Sequence, residues 1–170
     1  LIRNVEAPDA PGLPEAGSTI GDLKETDAPK LEASLKRSGP HFLHLAEGLD
    51  EKAHAQYELL AGHQLLRPNL VCIHCVGLHS GDHQALRAAG TRTVWSPLSN
   101  LLLYGRTLNV CDLSAPFALG CDWSPSGSRN LLQEMKVAWL VARAQGKVLP
   151  YEALAQAVTI NAAKVTMWDS

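Results

Sequence analysis

Strand-like apolar runs and helix-like runs alternate along this chain, and the alternation recurs at roughly 22 to 28 residues, the length of one strand–helix unit. "HFLHLA" at 41–46 precedes the helical "DEKAHAQYELLAGH", and "NLVCIHCVGL" at 69–78 precedes "SGDHQALRAAG". "RTVWSP" at 92–97 leads into a loop with a short helix. "PFALGCD" at 116–122 leads into the long helical stretch "GSRNLLQEMKVAWLVARAQG". The strands are near-continuous apolar runs, as expected where a parallel sheet is covered on both faces. The predicted fold class is therefore α/β.

The flanks are read from punctuation. "TDAPKLEASLKRSG" at 26–39 predicts a short helix capped by Asp27, with Pro29 in its first turn, Leu31 and Leu35 on one face, and Gly39 as the stop. Ahead of it, "LIRNVE" reads as the end of a strand and 7–22 as a loop rich in Pro, Gly and Ala. Ser80 or Asp82 is the expected cap of the helix that Gly90 ends. A last helix is predicted over 150–165, starting at Pro150. The expected organisation is one domain over 1–170, with a strand end and loop in 1–26 and strand–helix units in 27–170.

Composition narrows the function classes. Apolar residues make up 46% of the 170 and charged residues 19%, which suits a globular core. A net charge of −2 offers no electrostatic footprint for nucleic acid or an anionic membrane, so neither is an expected partner. No apolar run reaches the roughly 18 residues of a spanning helix. No secretory leader or initiator Met opens the chain, and the expectation is a cytoplasmic fragment of a longer protein. Cys72, Cys75, Cys111 and Cys121 are expected to be reduced thiols, since "CIHC" lacks the second pair that a zinc motif needs.

Chemistry-bearing residues collect at one end of every strand. The first ends in His44, with Glu47 just beyond; the second in His74; the third in Trp95, followed by Ser99 and Asn100; the fourth in Asp122 and Trp123. That edge is where parallel α/β proteins bind ligands. A single histidine in an apolar strand is most often a satisfied core residue, but four such groups on one rim favour a site. His44, His74 and Asp122 are ligand types suited to zinc or iron, and a cation held with an open position activates water. Glu47 could pass a proton to a leaving group. Trp95, Trp123 and Tyr104 are candidate pocket walls. His54, His63, His79 and His83 are read as solvated faces.

"HLAEG", "IHCVGL", "SPLSNLLLYG" and "LGCDWSPSGSRNLLQEMKVA" together resemble the second half of the amidohydrolase superfamily, in its deaminase and chlorohydrolase branch. The resemblance covers about residues 38 to 168. It implies a TIM (β/α)8 barrel, present here only in part, as parallel strands about four to eight with their helices. It implies a metal-dependent hydrolase of a carbon–nitrogen bond, most simply a deaminase of a ring amine, acting on a small-molecule substrate. His44, His74 and Asp122 match metal-site positions, with one divalent metal and zinc ahead of iron. Glu47, His74 and Asp122 match catalytic positions; Asn100 matches a residue that shapes the site, and Trp95 and Trp123 stand where substrate would be bound. The family's first-strand His-x-His pair has no counterpart, and Trp95 stands where many members have histidine. A barrel typically needs about 250 residues, so the isolated chain is expected to be weakly active or inactive, and to associate with itself or with the missing barrel half. The rival expectation is a non-catalytic half-barrel that binds or supports other proteins.

Overall fold

The computed structural model of the protein describes residues 15–113 and 116–168. The expected strand end at 1–6 lies outside them. Among the described residues, five strands and seven α-helices follow one another as β1 (Gly17–Thr19), α1 (Ala28–Leu35), β2 (His41–Leu45), α2 (Glu51–Gly62), β3 (Leu70–His74), α3 (Ser80–Ala88), β4 (Arg92–Trp95), α4 (Pro97–Tyr104), β5 (Phe117–Leu119), α5 (Leu131–Ala144), α6 (Tyr151–Ala157) and α7 (Ile160–Val165). The five strands form one parallel sheet in the order β1-β2-β3-β4-β5.

The four strands expected from apolar runs are present. β1 is not among them: it falls inside the stretch read as loop. "GST" carries no apolar signal, and the strand exists because it pairs with β2, with the Gly17 N–H on the Pro40 carbonyl at 2.9 Å. The terminal helix is two helices, because Thr159 leaves the helical region between α6 and α7. α3 is capped by His79 rather than Ser80 or Asp82, with the Asp82 carboxylate closing a capping box onto the His79 N–H. Asp27 precedes α1 but accepts from the Lys24 N–H instead of capping the helix. Asp50 and Asn130 do cap α2 and α5 through Ala53 N and Gln133 N.

The core lies between one sheet face and the outer helices. Leu43, Leu45, Cys72, Trp95, Phe117 and Leu119 are buried with Leu31, Leu60, Leu86 and Ala138 from the helical layer. On the opposite face α7 lays Val165 and Ala162 against Val71, Ala118, Phe42 and Val94. Alternation along β2 puts His44 on this second face, with Phe42. No helix among the described residues is long and apolar enough to cross a membrane.

Candidate active site

His44 sits one residue before the end of β2 and His74 ends β3. The register pairs His74 with Leu45, whose side chain is in the core. A regular pleat would send the His74 ring to that same face. Instead His74 has φ +68° and Cys75 φ +57°, the strand stops, and the His74 ring stacks on His44 at 5.1 Å between centroids. Ala46 (φ +49°) and Asp122 (φ +61°) turn the neighbouring strand ends in the same left-handed region. Left-handed non-glycine backbone is uncommon and gathers at functional sites.

The two carboxylates come to the same place. His74 Nε2 lies 3.5 Å from Glu47 Oε2 and 3.9 Å from Asp122 Oδ2. His74 Nδ1 donates to Asn100 Oδ1 at 2.9 Å. That bond orients the ring so that Nε2 faces the carboxylates. Asn100 Nδ2 donates to Thr107 Oγ1 at 2.9 Å, which also accepts from Trp95 Nε1 at 2.8 Å. Asp122 Oδ2 accepts from Ser99 Oγ, and Oδ1 accepts from the Trp123 N–H at 2.8 Å. Tyr104 Oη donates to Glu47 Oε1 at 3.2 Å, and burial followed by the Glu47 charge pushes its phenol up to about 12.

His44 is less fully engaged. Its Nδ1 is buried without a hydrogen-bond partner. Burial, then the adjacent His74, lowers its pKa against the opposing pull of Glu47, Asp122 and a backbone hydrogen bond with Thr19. A neutral imidazole with an idle buried nitrogen is an available ligand. His44, Glu47 and His74 form a group whose donor atoms all lie within 4.8 Å of one another. A cavity of about 640 Å³ opens beside Glu47 and Tyr104, walled also by Asp22, Leu49, Gln56 and Leu103.

The residues expected to meet substrate part company. Trp123 is 66% exposed on the rim. Trp95 and Asn100 have no accessible surface, and their polar atoms are committed to Thr107 and His74. His83, read as solvated, is buried, and His54 is mostly so. Cys72 and Cys75 are buried free thiols; Cys111 and Cys121 are also free.

Glu134, Thr107 and Gly77 escaped the sequence reading. Glu134 is fully buried on α5, where it accepts from the Leu98 N–H at 3.0 Å and from Ser128 Oγ, so it pins the start of α4 that carries Ser99 and Asn100. Burial raises its pKa. Its spacing to Ala138 and Val141, at helical intervals on one apolar face, was a readable signal. Gly77 donates to the Ala46 carbonyl at 2.9 Å, and a Cβ there would meet the Gly48 carbonyl at 2.7 Å. The loops after β2 and β3 thus touch backbone to backbone, which fixes Glu47 against His74.

No family model matches the chain. A curated 5'-deoxyadenosine deaminase of Methanosarcina mazei is 32% identical over 104 residues, which are 57% of this chain and 24% of that protein. The chain spans about a quarter of the length of that relative. An adenosine deaminase from Xanthomonas campestris, solved with bound zinc, superposes with a TM-score of 0.78 at 22% identity, over 95% of this chain and 40% of that one. Guanine deaminase of E. coli gives 0.70 at 23% identity, over 85% and 36%. The atrazine chlorohydrolase of Arthrobacter aurescens, complexed with zinc, gives 0.72 at 17%, over 84% and 36%.

Proposed function

We propose that the five-stranded α/β unit, which resembles the deaminases and chlorohydrolases of the amidohydrolase superfamily, is the C-terminal part of a (β/α)8 barrel in a metal-dependent hydrolase of a carbon–nitrogen bond, acting on a small molecule that carries a ring amine. One observation carries the reading: the orphaned His44 Nδ1 lies buried beside His74, whose Nε2 faces two carboxylates. His44, His74 and Asp122 would hold one divalent cation, and their nitrogen and oxygen donors suit zinc ahead of iron. The cation supplies Lewis acidity that activates water.

The chain's own residues then divide the proton work. Asp122 accepts the proton of the attacking water, oriented for it by Ser99 and the Trp123 N–H. Glu47 carries the proton to the substrate nitrogen, and the Tyr104 hydroxyl sets its rotamer from the far oxygen. His74, held by Asn100, directs Nε2 toward the two carboxylates and the position the cation would take between them. Trp123, exposed on the rim, is the aromatic placed to pack on a ring substrate. Asn100 and Trp95 act on substrate through His74 rather than by contact.

The remaining ligands and the rest of the pocket belong to barrel strands outside this chain, so turnover is a property of the longer protein, which the reading places in the cytoplasm. β1 and β5, at the sheet's edges, are where the missing half would join. The test is Glu47→Gln in the whole protein. Activity falls about 10²- to 10⁴-fold while metal content is unchanged. Full activity in that variant, or in the metal-stripped parent, would refute the reading.

A further inference from the structure

A second imidazole–carboxylate cluster lies on the helical layer. His54 in the middle of α2 places Nε2 2.9 Å from Asp82 Oδ2 on α3. His79, the residue before α3, places Nδ1 3.5 Å from the same oxygen. The two imidazoles are 4.4 Å apart between centroids, and the donor atoms of His54, His79 and Asp82 all lie within 4.8 Å of one another. On the other side of the His54 ring, Nδ1 lies 3.7 Å from Glu58 Oε1, one helical turn along α2.

We propose that His54, His79 and Asp82 form a second, independent binding site for a borderline divalent cation of the zinc type. Two imidazole nitrogens select against calcium and magnesium, which take oxygen ligands. The three donors come from two elements, so an ion there joins α2 to the first turn of α3. His54 and Asp82 are each 16% exposed and His79 is 76% exposed, which gives two donors on a firm base and a third that can close over an entering ion. The partial positive charge at the α3 N-terminus opposes a cation, and the Asp82 and Glu58 carboxylates offset it. His79 starts the helix that follows the Cys75–Leu78 loop, and that loop leaves directly from His74. The outer ion would therefore stiffen the approach to the rim. The proposal does not depend on how the rim is read.

Zinc titration of the chain, followed by calorimetry and by metal content after gel filtration, tests it. His44→Gln removes a rim donor and leaves the outer site intact. In that background one equivalent of zinc is expected to bind. Adding His79→Ala, an exposed change that spares the core, weakens that equivalent by at least the roughly 10- to 100-fold that losing a supporting contact costs. Asp82→Asn does the same, and zinc raises the unfolding temperature of the His44→Gln chain but not of the His79→Ala double variant. Zinc uptake that disappears with His44→Gln overturns the proposal. So does uptake that His79→Ala and Asp82→Asn leave untouched, since His54 and Asp82 would then be a plain ion pair.

Discussion

β2 carries one histidine at each end, and the two differ in what their environment asks of them. His41 opens the strand, buried, with both ring nitrogens engaged: Nδ1 at 2.8 Å from Ser34 Oγ and Nε2 at 3.0 Å from Thr19 Oγ1. His44, near the other end, has a buried Nδ1 with no partner and a second imidazole stacked against it. Burial lowers the pKa of both. A buried histidine is therefore no signal by itself; what separates structure from site is whether its nitrogens are already used. The same contrast holds across the sheet. The end where His41 lies is closed by hydroxyls, while the opposite rim gathers left-handed backbone and the partnerless Nδ1 of His44.

The sharpest break of this contrast would come from Trp95, which ends a strand at the rim yet belongs to the core. Trp95→Ala should cost about 3–5 kcal/mol in denaturant unfolding, far more than any change confined to a pocket wall; a loss under about 1 kcal/mol would return Trp95 to the pocket. Next is the satisfied histidine. His41→Leu strands the Ser34 and Thr19 hydroxyls and should cost about 1–3 kcal/mol at neutral pH.

Acid sharpens it further. Burial, with a smaller contribution from the Lys30 charge, holds His41 at about 4. The unfolded chain therefore binds that proton first as pH falls from the ordinary histidine value near 6.5. Stability is full above that value and is lost as pH drops toward the folded pKa, by on the order of 2 kcal/mol from this residue. The difference between wild type and His41→Leu should shrink by that amount between neutrality and pH 4. A difference independent of pH would contradict it. Smallest is the rim itself: His44→Leu, which strands no partner of Nδ1, should cost metal-free stability about 1 kcal/mol or less, below the cost of His41→Leu. A loss comparable to that of His41→Leu would erase the distinction.

Much of this contrast could be read before any coordinates. Strand β2 announces itself through Phe42, Leu43 and Leu45, and the fall of His44, Glu47, His74 and Asp122 just at strand ends marks the rim. What each polar residue does there could not be read, because it depends on partners far along the chain. Asn100 looks like a substrate contact until His74, 26 residues earlier, takes its amide oxygen. Glu134 looks like a helix-surface acid until Leu98 and Ser128 claim both its oxygens. His83 and His54 look solvated by helical spacing, but the packing of α3 and α2 buries one and pairs the other with Asp82. β1 is the extreme case, a strand made by its neighbour rather than by its own residues.

The sequence by itself determined four of the five strands, the helices between them, and the edge where His44, Glu47, His74 and Asp122 gather, because these follow from local periodicity and from where apolar runs stop. Only the tertiary structure decided which nitrogen is free, which carboxylate is held, and which aromatic is reachable. Those properties depend on hydrogen-bond partners that meet across the sheet, and on left-handed turns at Ala46, His74 and Asp122, a conformation that Asp and His tolerate better than most residues but that the sequence does not locate.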